Sequence, residues 1–443
     1  MRARQGAAAA ALALAFCALA AGAEGAEGKG AQISGVMETR VGAVLTPEYE
    51  EGGGGPNYAA EQYANLRLKA PLGEKGALYA AANLVAAAGG SVPYQLSGTS
   101  GMYEPAEGFV VGRGYAAAME LERLYYRVGG EAFDVDVGLQ RLAFGFGPAF
   151  SPADFLVSRN PLYPDARSRG SLAAAASLYP GPEWKARVFA VAAGGAVDAR
   201  GLALDTTGEG AIAGLSGEFH GSAASVQALY AIEADSSGVG SATHRFGLSA
   251  KLDAGASFIL DALYVLDGDW LEKDGWYGRD WKAYRGLEAS FGVDYSILDG
   301  DLYMLGQYCF HGGGALDPGD GLDLLYSGYA SWSDLAPASR IALVDASLPL
   351  GELNRRDYLF AELLYRFDDY RNLTLSCIAG LDDASWLPAL GFDDELFQGF
   401  TLGLSCRVPL DERSFSSGGE YGELGPVHSG TAGELTVKAK LKF

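Results

Sequence analysis

Between Arg141 and Arg169 the sequence crowds six charges, Arg141, Asp154, Arg159, Asp165, Arg167 and Arg169, among Phe144, Phe146, Phe150 and Phe155. Glycines and prolines interrupt the run and resist regular structure, while the phenylalanines give it something to bury. A loop both long and aromatic is expected to fold inward against the scaffold that carries it; the bland alternative is a loop packed on the rim. Charges held in such a loop act on ions and dipoles nearby, by attraction and repulsion rather than by making bonds.

Bond-making chemistry finds little support elsewhere. "HGGG" at His311–Gly314 resembles the oxyanion loop of lipases, but no G-x-S-x-G elbow accompanies it, and it reads as a strand end entering a glycine loop. His220, His244 and His428 are scattered without metal-ligand spacing. Asp317, Asp320 and Asp323 in "DPGDGLD" lack the ligand series of a calcium loop and read as a solvated acidic turn. "EEGGGGP" at 50–56 has no phosphate-binding context and reads as a flexible external loop. No catalytic, cofactor-binding or metal-ligating set can be nominated, and no Ser/His set can be read directly from the chain.

The elements that must position the charged loop announce themselves by alternation. In the terminal "ELTVKAKLKF", Leu435, Val437, Ala439, Leu441 and Phe443 share one face, and Glu434, Thr436, Lys438, Lys440 and Lys442 share the other. "NLRLKA", "FDVDVGLQ", "HRFGLSAKLD" and "FTLGLSCRV" alternate in the same way. A soluble sandwich also alternates. Here, however, the polar faces are often charged while the apolar ones run unbroken, as expected of strands that meet lipid on one side and water on the other. Short links ("GGEA", "PGPE", "DAG", "LDG", "DDYRN") alternate with long ones over roughly 46–61, 89–114, 144–169, 268–282 and 410–433. The expected strands are 32–45, 62–70, 76–87, 115–128, 133–143, 171–179, 183–193, 210–219, 224–234, 244–253, 256–267, 284–297, 302–311, 357–367, 373–382, 386–393, 398–409 and 433–443, about 18 in all. The stretch from Gly312 to Arg356 holds either a further hairpin or one long loop, so 16 and 20 also fit. Tyr125, Tyr126, Tyr179, Trp184, Tyr295, Tyr303, Tyr365 and Trp386 fall near strand ends, where interfacial girdles belong.

The front of the chain sets the compartment. A basic start, an apolar run over Gly6–Ala20 and Ala21-Gly22-Ala23 read as a secretory signal peptide over residues 1–23, cleaved before Glu24, with 24–443 forming one domain. The leader holds Arg2 and Arg4 and no acid, so its loss takes the formal charge from −22 to −24. That balance argues against a nucleic-acid partner. Cys309, Cys377 and Cys406 lie on the apolar phase of their strands and read as small hydrophobes rather than a disulfide framework. No later apolar run is long enough for a membrane helix. A secreted chain that crosses a membrane without helices must do so as a closed barrel.

The fold class expected is therefore all-β: a transmembrane, antiparallel, up-and-down β-barrel. Its lumen charges would include Arg67, Lys69, Glu120, Glu122, Asp134, Asp136, Arg407, Lys438 and Lys440, a mixed set that makes a transverse field. The stretch "LERLYYRVGGEAFDVDVGLQRLAFGFGPAFSPADFLVSRNPL", residues 121–162, resembles a pattern of porin-like outer-membrane families, including relatives of alginate-export channels. There a tyrosine-rich strand passes through a tight turn into a strand ending near Gly-Arg-Gln, followed by a Ser-Pro-x-Asp-x-Phe loop. Here Gln140-Arg141 stands at that strand end, and Ser151, Pro152, Asp154 and Phe155 stand in the loop, with Asp154 directly before Phe155. "GLDDASWLPALGF", from Gly380, resembles a penultimate hairpin of such proteins. The terminal strand, with Leu435, Val437, Ala439, Leu441 and Phe443, resembles the signal read by the barrel-assembly machinery.

The resemblance implies a channel and names no solute; with the enzyme signatures failing, the expectation is an outer-membrane channel for passive diffusion of small hydrophilic solutes, with no enzymatic activity and no cofactor. Its partners would be outer-membrane lipid, the assembly machinery and its solutes, with a homo-oligomer also compatible. The alternative is a structural or adhesive barrel whose external loops bind ligands.

Overall fold

The computed structural model describes residues 30–45, 56–89, 110–112, 115–156, 170–193, 210–235, 242–266, 286–312, 353, 355–415, 422–426 and 432–443. The leader expected over 1–23 lies outside them, as does most of the stretch between Gly312 and Arg356. The strands are β1 (Gln32–Leu45), β2 (Pro56–Leu72), β3 (Gly76–Gly89), β4 (Val110–Gly112), β5 (Tyr115–Gly129), β6 (Phe133–Gln140), β7 (Ser171–Gly181), β8 (Trp184–Ala193), β9 (Gly210–His220) and β10 (Ala224–Asp235). There follow β11 (Ala242–Ala254), β12 (Ala256–Leu266), β13 (Leu287–Ile297), β14 (Leu302–His311), β15 (Asp357–Arg366), β16 (Arg371–Gly380), β17 (Ser385–Phe397), β18 (Phe400–Arg407) and β19 (Gly433–Lys442). Each pairs antiparallel with its neighbour, and β1 pairs with both β2 and β19, so the sheet closes. Closure leaves no edge and gives every ladder group a partner inside the protein.

The barrel wall has 18 full staves. β4 is a stub that pairs only with Tyr115–Ala117 of β5 and was not foreseen from the sequence. β14 pairs directly with β15, Leu302 opposite Tyr365, so no hairpin from the 312–356 stretch enters the wall.

The alternation sorts the faces as the side-chain period requires. In β1, Ile33, Met37 and Val41 point out and stay exposed, whereas Glu38 and Val44 point in and are buried. Around the barrel Val137, Val188, Leu215, Leu248, Leu260, Phe291, Leu359, Leu375, Leu390, Leu404 and Val437 continue an exposed apolar band. A monomer in water rarely tolerates a contiguous apolar patch above a few hundred Å²; a belt encircling the molecule needs lipid. The polar pair on this face satisfies itself. Thr39 Oγ1 donates to Gln62 Oε1 at 2.6 Å, and Gln62 Nε2 donates to the carbonyls of Glu38 and Tyr63 at 3.2 and 3.3 Å.

The aromatics expected as a girdle divide. Tyr126, Trp184, Tyr295, Tyr365 and Trp386 point outward and are exposed. Tyr125, Tyr179 and Tyr303 sit on the inward phase: Tyr125 stacks on Tyr79 at 4.8 Å, Tyr179 donates to Asp134 at 3.0 Å, and Tyr303 packs against an internal apolar cluster. Near a short turn either phase holds a large ring, so proximity to a strand end does not by itself choose the lipid. The cysteines divide too. Cys377 and Cys406 share the outward phase with Leu375 and Leu404, whereas Cys309 lies on the inward phase with Leu305 and Gln307.

The seam is locked by the chain's last residue. Gly35 N donates to Phe443 O at 2.8 Å and Phe443 N to Gly35 O at 3.1 Å. A Cβ on Gly35 would lie 2.6 Å from Phe443 Cζ and 2.7 Å from the Asn65 carbonyl, so the phenyl ring rests where a side chain would stand. Gly217, on the outer face of β9, meets nothing within 4 Å. Gly35→Leu is expected to overpack the seam by about 1–3 kcal/mol and to lower the yield of heat-modifiable, folded barrel. Gly217→Leu is expected to refold like the parent.

Candidate functional site

After Gln140 the chain leaves the wall. Residues 141–156 turn into the barrel before β7 resumes it, so their amides forfeit the ladder and must find other acceptors. The inner wall supplies a row of them. Gln227, Ser249, Asp261 and Ser290 stand directly opposite one another in register across β10 to β13. Gly145 N donates to Gln227 Oε1 at 2.6 Å. Asp261 Oδ2 accepts from Phe146 N at 3.0 Å, Gly147 N at 2.7 Å and Ser151 Oγ at 2.9 Å, while Oδ1 accepts from Ser249 Oγ. On β14, Gln307 Oε1 accepts from Ala149 N and Phe150 N, both at 3.0 Å, and its Nε2 donates to Phe150 O at 2.5 Å. Ser290 Oγ donates to the same carbonyl at 3.2 Å.

Asp261 and Ser249 are 0% exposed, so a carboxylate sits in a dry place where, among the described residues, four donors compensate its desolvation. Gly145 has φ +79°, and a Cβ there would lie 2.7 Å from the Asp261 carboxylate; a side chain would push the segment off its anchor.

Apolar packing completes the anchoring. Leu142 and Phe144, with Phe155 and Leu156, lie against Ala173, Ala175, Phe189, Val191, Ile212, Leu229 and Ala231, the inward residues of β7 to β10. Ala149 and Phe150 pack with Leu305, Tyr358, Phe360 and Ile378 of β14 to β16. The Arg187 guanidinium sits 5.9 Å from the Phe144 ring, and that of Arg245 sits 5.2 Å from Phe155. The segment is thus a strap pinned across one side of the interior.

The charges expected in this loop fall unevenly. Asp154 is 1% exposed and accepts Phe144 N at 2.9 Å. It braces the strap from within, and a carboxylate so buried does not face a passing solute. Arg141 lies at the strap's start, half-buried. Arg159, Asp165, Arg167 and Arg169 lie outside the described residues.

The inward wall charges form pairs. Glu38 binds Arg40 at 2.5 Å and has Lys440 at 3.9 Å. Lys438 lies 4.0 Å from Asp393, and Arg407 lies 2.9 Å from Glu434. Arg127 grips Asp136 through two bonds of 2.6 and 2.8 Å. Arg67 donates to Asn65 at 2.6 Å, Asn65 donates to Glu122 at 2.7 Å, and Arg123 lies 3.2 Å from Glu122. Glu122 reaches this face because a bulge opposite Ala81 and Ala82 shifts β5. Lys69 is exposed, 5.5 Å from the Tyr79 ring. Asp134 lies inward with Tyr179. Glu120 is on β5 opposite Asn83, its side chain outside the described residues. The strap's anchors run over β7 to β16, whereas the Arg407, Lys438, Lys440, Glu38, Arg67, Lys69 and Glu122 group occupies the arc from β18 through β1 to β5.

One juxtaposition was invisible in the sequence. His220 Nδ1 lies 3.4 Å from Ser225 Oγ and Nε2 lies 3.3 Å from Glu218, but both Glu218 oxygens are held at 3.1 Å by Lys185. This is a cross-strand polar ladder with its acid already engaged. Among the described residues no group of His, Cys, Asp and Glu is arranged to hold a metal ion.

The anchoring row carries a prediction. Asp261→Ala removes the acceptor shared by two backbone amides and two hydroxyls, and should cost about 3 kcal/mol locally. Amide exchange of residues 144–151 should accelerate sharply while exchange in strands on the opposite arc stays unchanged. Uniform protection in the variant would show that the packing alone holds the strap.

No family model matches the sequence, and no curated protein matches it. Solved structures do resemble the fold. A BenF-like porin from Pseudomonas fluorescens Pf-5 superposes with a TM-score of 0.50 at 10% identity, covering 93% of this chain and 98% of that one. OpdL from Pseudomonas aeruginosa gives 0.48 at 11%, and OccAB4 from Acinetobacter baumannii gives 0.48 at 9%, each covering 93% of this chain and 98% of its own. The narrower resemblance of residues 121–162 to alginate-export channels is not supported by these comparisons. At such identity the first likeness speaks for architecture: the chain folds as a porin-like β-barrel.

Proposed function

We propose that the protein is an outer-membrane channel through which small hydrophilic solutes diffuse passively. The observation that carries this reading is the asymmetry of the interior. The strap is pinned to β10, β12 and β14 by Gln227, Asp261 and Gln307, while the arc from β18 through β1 to β5 is lined by paired ionic side chains. A plug would be centred in the lumen; a pinned strap narrows a pore and leaves charged wall beside it. The neighbour named as a porin favours the same reading.

On this reading Arg67, Lys69, Glu120, Glu122, Asp134, Asp136, Arg407, Lys438 and Lys440 line the solute's path. Arg141, Arg159, Asp165, Arg167 and Arg169 are the constriction charges, and Asp154 is a brace. Transport of this kind needs no catalytic residue. Residues 1–23 direct export, and the strand ending Leu435, Val437, Ala439, Leu441 and Phe443 is what the assembly machinery reads. Association of copies in the membrane is compatible with this scheme and not required by it.

Single-channel recording of the refolded mature protein in a planar bilayer under a salt gradient tests the proposal. Discrete, steady conductance steps are expected. Lys438→Glu combined with Lys440→Glu should move the reversal potential toward cation preference without a comparable change in step size. A silent membrane, with folding established separately, would overturn the channel reading.

A further inference from the structure

A second segment lies inside the barrel. Residues 422–426, from the connection between β18 and β19, rest against the inner faces of β15 to β17. Leu424 is 4% exposed and shares a cluster with Ala149 and Phe150 of the strap and with Tyr358, Phe360 and Ile378 of the wall. Its amide donates to Ser385 Oγ at 3.1 Å, and the neighbouring Glu423 amide donates to Asp383 Oδ2 at 2.7 Å. The Tyr358 hydroxyl donates to the Glu423 carboxylate, and Gly422 N donates to Asp411 Oδ2 at 3.3 Å. Gly422 sits so close that a Cβ would lie 2.4 Å from the Cβ of Ser385.

Asp383 gathers these connections. Besides the Glu423 amide it accepts Ser385 Oγ at 2.6 Å and pairs with Arg355 Nε at 3.0 Å. The Arg355 and Asp383 side chains are 7% and 1% exposed. Breaking a pair so dry leaves an uncompensated charge, which the surrounding chain relieves by moving toward water. One carboxylate therefore joins the ends of three long-side connections: β14 to β15 through Arg355, β16 to β17 through itself, and β18 to β19 through Glu423.

We propose that residues 422–426 form a second constriction element, meeting the strap in the apolar cluster that holds Leu424, Ala149 and Phe150 to set the size limit of the pore, with Arg355 and Asp383 as its positioning residues. The inference rests on the channel reading above. Leu424 is neutral and the Glu423 carboxylate is engaged by the Tyr358 hydroxyl, so this element governs size, while the charged arc governs ion preference. The two properties separate on mutation.

The test compares the parent with Gly422→Val, Leu424→Ala, Asp383→Asn and Asp383→Glu, each first shown to be folded by heat-modifiable migration. Single-channel conductance and exclusion of polyethylene glycols of graded size are then measured. Gly422→Val and Asp383→Asn should raise conductance by roughly half or more, since the narrowest lining dictates passage, and should admit larger polymers at an unchanged reversal potential. Asp383→Glu should return toward the parent. Leu424→Ala only removes atoms, so it answers the question by a smaller shift in the same direction should Gly422→Val fail to fold. Folded variants with the parent's conductance and cut-off would overturn the inference while leaving the channel intact. A silent folded parent would overturn the channel reading and this one with it.

Discussion

The interior is organised by the buried carboxylate of Asp261. A chain that leaves a β-ladder inside a barrel faces an accounting problem: each amide it frees must be answered by wall or water. Asp261 answers two amides and two hydroxyls at once from a fully buried position. Gln227 and Gln307, two strands to either side, answer three more amides. With the polar requirement met, Phe144 and Phe150 can be buried on the same wall, each contributing about 1.5–3 kcal/mol. Without it, their burial would be opposed by unsatisfied amides of similar magnitude.

This arrangement changes what the inner wall must be made of. A water-filled barrel wants polar inward residues at every level, yet β7 to β10 turn Ala173, Ala175, Phe189, Val191, Ile212, Leu229 and Ala231 inward toward the long-loop end. Toward the short-turn end the same strands turn in Ser177, Lys185, Arg187, Glu218 and Gln227. On this arc the wall is therefore divided by height, apolar where the strap packs and polar toward the short turns.

Much of this was legible in the chain, for a physical reason. Strand period is local, so each stave from Gln32–Leu45 to Gly433–Lys442 shows itself in its own residues. The inward phase was legible wherever it carries charge, as at Asp134 and Asp136 or Lys438 and Lys440. It was not legible where a second segment covers it. Cys309 shares an apolar phase that faces inward beneath the strap, and Tyr125, Tyr179 and Tyr303 sit at strand ends but inside. The anchors were hidden for the same reason. Asp261, Ser290 and Gln307 come from three strands far apart in sequence; only the register sets Asp261 beside Ser290 and brings Gln307 within one residue pair of that row, opposite Gly292. Asp154 read as a pore charge because the loop around it is charged; its burial follows from the turn it closes onto Phe144.

The seam at Gly35 and Phe443 bears on the order of events during synthesis. β1 is made first and β19 last, and the bonds that close the ring join residues separated by nearly the whole chain. Contacts of such separation form late, because the loop they close must be paid for in entropy before they return anything. The ring can shut only once β19 lies between β18 and β1, and until then the facing edges of β1 and β18 stay open to any other strand.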